Sequence, residues 1–229
     1  GPLPGGALLV ATAHGLDELQ PGTGALLPAK GTLPAPAGAE AYVAYSAGLP
    51  VTGAGCSFPT QALYALQISP PGVLALDLAT GVSSILAPIA GVDTLSGIAF
   101  DRSGRFGNRL LVIGPHAGHT VVDAIDCSGK VSVITTSAPA MEGGLEVAPP
   151  TFGAFGGDLI APDEYSGALI AVTPEGTTHV VTRNNLPSGR DVAAESAGLV
   201  PPGLFRRGPD RPADHPPAPT PNARPPPPP

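Results

Sequence analysis

The chain has 229 residues and a formal net charge of −7, with 31 glycines, 31 prolines and only two lysines, Lys30 and Lys130. This acidic balance argues against a nucleic-acid binder, whose affinity needs a basic patch. The sequence has no unbroken apolar run of 18 residues, so a membrane span is not predicted. Thirteen of the prolines fall in the last 29 residues, so the chain divides into a body that can build a core and a tail that cannot.

The first predicted strand lies in Leu8–His14, a segment that resembles Leu110–His116 further along the chain. Thr23–Gly24 then falls where Thr80–Gly81 does in the next unit. We therefore expect the chain to enter the fold at what is elsewhere a second strand. Residues 25–57 are the least regular part of the body.

Three later segments share the pattern of a strand, a glycine turn and a second strand. Their turn glycines are Gly81, Gly129 and Gly176. The alternation and the β-branched content of Val131–Ile134 and His179–Thr182 favour strands over helices. Each segment therefore predicts a β-hairpin.

Two further elements recur alongside these hairpins. The nearer one is clearest in Phe106–Val112 and Phe155–Ala161, with a weaker copy at Phe58–Tyr64. The more distant one is a short strand at Gly97–Phe100, Gly144–Val147 and Gly198–Val200. The spacing is 47 residues from Gly97 to Gly144, and four short strands in a unit of roughly 45 residues are typical of a β-propeller blade.

These units resemble the blades of NHL-type and senescence-marker (gluconolactonase-like) β-propellers over roughly residues 6–208. The predicted fold is all-β, a β-propeller of four-stranded antiparallel blades in residues 1–208, in which the strand near Gly198 completes the N-terminal blade and protects its edge. Those families usually close with about six blades, whereas about four repeats are visible here. The chain, which begins at Gly1 without a methionine, is thus expected to be a processed small propeller or a fragment of a larger one.

Strand parity predicts which loops share a face, because strands within a blade alternate in direction. The loops from second to third strands and from fourth to first strands meet on one side, which we call the top face. The candidate ligand-binding residues that fall in these loops are His14, Asp93, His116, His119, Glu142, Asp163, Glu164, Tyr165 and Glu195. This acidic face is expected to meet a protein or carbohydrate partner.

The family resemblance implies a second reading, a sugar-lactonase-like hydrolase that depends on a divalent metal such as calcium. Glu142 and Glu195 would be its metal ligands, with His116 or Glu164 assisting, since carboxylates attract hard cations and act as general bases. The asparagine ligands of that family have no matched counterparts in this sequence. Exposed loop carboxylates are also often only solvated, so the reading without catalysis is preferred.

The two cysteines fall in turns on the opposite side, the bottom face, of adjacent units. Cys56 lies in a turn between first and second strands, and Cys127 in a turn between third and fourth strands. A disulfide between them is geometrically plausible and would indicate an oxidising compartment. Two buried thiols are the alternative.

The tail, residues 209–229, is too rich in proline and too poor in apolar residues to fold, and it should sample polyproline II. A stalk or spacer is the preferred interpretation, with a ligand for aromatic grooves as the alternative. Taken together, the sequence predicts a secreted, non-catalytic β-propeller that serves as a binding or scaffold module on a proline-rich stalk.

Overall fold

The computed structural model describes residues 7–12, 15–29, 42–46, 48–163, 165–183, 194 and 196–199. It confirms the predicted fold class, because these residues form four antiparallel β-sheets arranged as the blades of a β-propeller. A 3₁₀ turn at Gly153–Phe155 interrupts the strands. Within these ranges there is no helix long and apolar enough to cross a membrane. The tail lies outside the described residues.

The strands follow in chain order from blade one to blade four. Blade one contains β1 (Leu8–Thr12), β2 (Gly15–Gln20) and β3 (Ala25–Pro28). Blade two contains β4 (Val43–Tyr45), β5 (Ala62–Gln67), β6 (Gly72–Asp77) and β7 (Ser83–Pro88). Blade three contains β8 (Gly97–Phe100), β9 (Leu110–His116), β10 (His119–Ile125) and β11 (Val131–Ala138). Blade four contains β12 (Glu146–Val147), β13 (Leu159–Pro162), β14 (Ala168–Val172) and β15 (Thr178–Arg183).

One row of paired residues recurs across the three complete blades and fixes their structural equivalence. It begins at the last residue of the first strand and crosses all four strands. The rows are Tyr45–Leu63–Leu76–Ser83, Phe100–Leu110–Ile125–Val131 and Val147–Leu159–Val172–Thr178. The repeats that the sequence shows are therefore the same structural unit.

The core lies between the blades, where the aliphatic residues of alternating strand positions face a neighbouring sheet. Phe58, Tyr64 and Phe100 pack edge to face between blades two and three, with ring centroids 5.0–5.4 Å apart. Between blades three and four, a Cβ added at Gly97 would lie 2.8 Å from the carbonyl oxygen of Gly143. The recurring glycine at the start of this first strand thus permits the two inner strands to approach closely.

Blade one begins at a strand equivalent to a second strand, as predicted. Among the described residues, β1 pairs with β2 and with no strand on its other edge. Near the other end of the chain, Ser196 forms a parallel bridge with Gly144, beside β12. The expected pairing of the strand near Gly198 with β1 stays a prediction, because Val200 and the residues after it lie outside the described part of the chain.

The predicted disulfide is confirmed. Cys56 and Cys127 are bonded, with their Cα atoms 6.0 Å apart and a sequence separation of 71. The bond joins the loop before β5 to the turn between β10 and β11. It therefore links blades two and three on the bottom face.

Candidate functional site

A pocket of about 390 Å³ opens on the top face between blades three and four. It lies where the loop before β8, the hairpin between β9 and β10, the loop before β12 and the loop after β13 converge. Its lining residues are Thr94, Ser96, Pro115, Gly118, His119, Thr120, Ala140, Met141, Glu142 and Tyr165. Loops between second and third strands and loops between fourth and first strands thus meet at this pocket.

The floor of the pocket is buried and carries hydroxyl groups. Ser96, Thr120 and Met141 are 6%, 1% and 4% exposed. The Thr120 Oγ1 accepts a hydrogen bond of 3.0 Å from the Met141 backbone N–H. The Ser96 Oγ is buried without a hydrogen-bond partner, which is rare for a polar atom in a folded protein.

The rim of the pocket is exposed and carries three of the predicted residues, His119, Glu142 and Tyr165. His119 is held there by a two-residue turn, in which Ala117 and Gly118 have φ angles of 50° and 79°. Such positive values are those of a tight hairpin turn. His116 and His119 are consequently the paired strand residues on either side of this turn, rather than residues within a longer loop.

Asp163 positions Tyr165 rather than lining the pocket. Its carboxylate accepts hydrogen bonds from the Tyr165 and Ser166 backbone N–H groups, at 3.0 and 3.3 Å, and from the Ser166 hydroxyl. These bonds close the turn that carries the tyrosine, whose side chain is left 55% exposed. An exposed ring held on an ordered turn suits contact with a partner.

Asp93 and His116 also lie on the top face, outside the pocket lining. The His116 Nδ1 is 3.1 Å from the Asp93 Oδ1, and their side chains are 53% and 67% exposed. A pair this exposed contributes little to stability. The remaining predicted residues, His14, Glu164 and Glu195, lie outside the described residues.

A calcium ion takes six to eight oxygen ligands, and the described part of the site does not provide them. No group of three or more His, Cys, Asp or Glu side chains among these residues could hold a metal ion. Glu142 is the carboxylate that the described lining contributes. The described residues alone therefore do not fit a calcium site.

Sequence reasoning missed the floor of the pocket. Ser96 directly precedes the recurring Gly97, and Thr120 begins the second hairpin segment, so their positions in the repeat were readable. Their burial could not be predicted from the sequence, because it depends on how the loop before β12 covers β10. A polar residue next to a repeat glycine is the sequence signal that could have indicated the site.

The fold and the open pocket define the molecule as a β-propeller with a concave site at one end of its blades. No protein-family model matches the sequence, and no curated protein matches it. Its structural neighbours are NHL-type and gluconolactonase- or regucalcin-like β-propellers. The likeness to these neighbours confirms the predicted β-propeller fold.

Two solved structures illustrate the likeness. The crystal structure of the nidogen/laminin complex matches with a TM-score of 0.55 at 16% identity, over 80% of this chain and 63% of that one. The calcium-binding protein regucalcin from Agrobacterium tumefaciens matches with a TM-score of 0.50 at 14% identity, over 78% of this chain and 57% of that one. At these identities the likeness establishes the fold alone, and this chain spans about three fifths of each neighbour.

Proposed function

We propose that the chain is an extracellular, non-catalytic β-propeller module that binds a protein or carbohydrate partner at its top-face pocket. The observation that carries this proposal is the pocket itself, with a buried floor around Ser96 and an exposed rim around Tyr165. Pockets of about 300–1,000 Å³ with a few convergent polar groups are typical of ligand sites, and the volume of about 390 Å³ falls within that range.

Among the described residues, the Ser96 hydroxyl at the floor of the pocket is not assembled as a nucleophile, which agrees with a role without catalysis. The Ser96 Oγ has no hydrogen-bond partner, so no described base activates it. A catalytic serine needs a base within hydrogen-bonding distance and a third group that orients the base. Ligand binding by the same residues requires no such base.

The Cys56–Cys127 disulfide supports an extracellular location, since disulfides persist in oxidising compartments. Residues 209–229 would then serve as the stalk that carries the propeller. Mass measurement of protein from its native source, alkylated under non-reducing conditions, tests the location. We expect no alkylated cysteine, and two alkylated cysteines would contradict the proposal.

A screen of the full chain against soluble glycans and peptides, followed by titration of each bound compound, tests the binding site. We expect Tyr165→Ala to weaken binding about tenfold, because exposed aromatic residues often dominate binding energy. Phe152→Ala is the matched control, an aromatic residue 39% exposed in the loop between β12 and β13 on the bottom face. Equal effects of both substitutions would contradict the proposal.

The second candidate function is metal-dependent hydrolysis of the sugar-lactonase type. It is favoured by the fold likeness to regucalcin, described as a calcium-binding protein, and would use Glu142 with Glu195. Millimolar calcium would then raise the melting temperature of the wild type but not of Glu142→Gln. An unchanged wild-type melting temperature would remove this candidate.

A further inference from the structure

We propose that the top-face pocket binds a neutral saccharide, whose hydroxyl groups bond to Ser96 and Thr120 at its floor. This inference rests on the proposed function and names the ligand class of the same site. It depends on three features of the pocket, which are the unpaired hydroxyl, the distribution of charge and the exposed ring.

The unpaired hydroxyl lies on the pocket side of its segment. Thr94 and Ser96 line the pocket, whereas Leu95 between them packs in the core between blades two and three. Ser96 is 6% exposed, and its Oγ has no partner. A polar atom buried in this way costs free energy unless a hydrogen bond satisfies it. A ligand group that bonds Ser96 recovers that cost.

Thr120 adds a second hydroxyl to the floor. Its Oγ1 already accepts a bond from the Met141 N–H, so its own O–H remains able to donate. A hydroxyl has one donor and two acceptor sites. Ser96 and Thr120 can therefore both give and receive hydrogen bonds, which matches the hydroxyl groups of a sugar.

The distribution of charge disfavours ionic ligands. The described lining contains no Lys or Arg and includes the Glu142 carboxylate, so a phosphate, sulfate or carboxylate ligand would be repelled by Glu142 and would find no permanent cation there. Glu142 is on the exposed rim, whereas the floor holds only neutral groups. An amine or guanidinium that reached the floor would lose hydration without gaining a counter-ion there. A neutral polar ligand avoids both costs.

The rim supplies the apolar surface that a sugar ring also needs. Tyr165 is 55% exposed, and Pro115 and Met141 line the same pocket. A flat aromatic face packs against the C–H groups of a pyranose while polar neighbours bond its hydroxyls. The pocket volume, near the lower end of the range for ligand sites, suits the terminal part of a glycan.

The test exposes the full chain to arrayed neutral glycans, sulfated or uronic-acid glycans, and Lys- and Arg-rich peptides. Each bound compound is then titrated calorimetrically against the wild type, Ser96→Ala and Tyr165→Ala. Ser57→Ala, an exposed serine in the loop between β4 and β5, is the control. We expect neutral glycans to bind, about tenfold more weakly to Ser96→Ala, with Ser57→Ala unchanged. Thermal melting checks that each variant is folded.

Two results separate the inference from the function on which it rests. If acidic glycans or basic peptides bind, and Tyr165→Ala weakens that binding, the neutral-saccharide class would be overturned. The pocket would remain the binding site. Neutral-glycan binding that Ser96→Ala leaves unchanged would also overturn the inference. No binding in any panel would overturn both proposals.

Discussion

Two buried side chains of blade three, Asp101 on the bottom face and Ser96 on the top face, differ in how their oxygen atoms are bonded. At the bottom, the fully buried Asp101 accepts hydrogen bonds from four backbone N–H groups and one hydroxyl within the loop that follows β8, and a disulfide lies nearby. At the top, the buried Ser96 Oγ has no hydrogen-bond partner, and Tyr165 on the neighbouring loop of blade four is half exposed. Asp101 and the disulfide hold the bottom loops together, although the Arg109 Nε in the same loop is also buried without a partner, whereas we propose that the Ser96 hydroxyl at the top serves a ligand.

The disulfide should give the largest effect on stability. Replacing both Cys56 and Cys127 with alanine should lower the free energy of unfolding by roughly 4 kcal/mol, because the bond closes a long loop in the unfolded chain. Urea unfolding of oxidised wild type and the double variant measures this. The affinity of the top-face pocket should not change, and a loss of binding in a folded double variant would contradict the separation of the two faces.

The next largest loss of unfolding free energy, about 3 kcal/mol, is expected for Asp101→Ala. Asp101→Ala leaves several backbone N–H groups without their acceptor, and each such buried group costs about 1–3 kcal/mol. Asp163→Ala is the matched variant on the top face, where a similar set of bonds is more exposed to water. Its cost should be below about 1 kcal/mol. Equal losses in the two variants would remove the contrast between the faces.

Asp123 breaks the pattern of the core and should make stability depend on pH. It lies two residues before Ile125, and the equivalent positions in blades two and four are occupied by Leu74 and Ile170. It is 2% exposed, its Oδ1 has no partner, and burial raises its pKa to about 6. The pKa in the folded state exceeds the value of about 3.9 in the unfolded state. Its contribution is therefore favourable at low pH and is lost as the pH rises through 6.

The neutral variant Asp123→Asn isolates this contribution. Between pH 4.5 and 7.5, the wild type should lose about 2 kcal/mol of unfolding free energy relative to Asp123→Asn, given about 1.36 kcal/mol for each pKa unit. Urea unfolding at four pH values in this interval provides the measurement. A difference that does not vary with pH would show that the pKa of Asp123 is not raised in the folded protein.

The smallest effect on stability should come from Ser96. Because its hydroxyl bonds to nothing in the unliganded protein, Ser96→Ala should leave the melting temperature equal to that of the wild type or slightly higher. Differential scanning calorimetry of both proteins measures this. A clear decrease would indicate that the hydroxyl stabilises the fold, contrary to the role assigned to it.

Structural features that recur in each blade can be predicted from the sequence, whereas features of a single blade cannot. The turn at Thr23–Gly24 and the short strand at Gly97–Phe100 were predicted because their spacing recurs, and His119, Glu142 and Tyr165, which strand parity placed on one face, line one pocket. The disulfide followed from the same parity. The position of Ser96 beside the repeat glycine was readable, but its burial and the missing partner of its hydroxyl were not, since both depend on tertiary packing.

Asp123 illustrates the same limit in the core. A carboxylate in an alternating strand segment is read as solvent-facing, yet here it takes an aliphatic position between two blades. The register that buries it is fixed by pairing across four strands, which a local pattern does not determine.

The chain has one methionine, Met141, and this residue lies in the floor of the pocket. A full chain labelled with ¹³C at the methionine methyl group therefore gives a single resonance that reports on the pocket, and it can be followed while a compound from the binding screen is titrated. We predict that this resonance shifts with saturation at the binding constant found by calorimetry. A resonance unchanged at full occupancy would contradict the claim that the top-face pocket is the binding site.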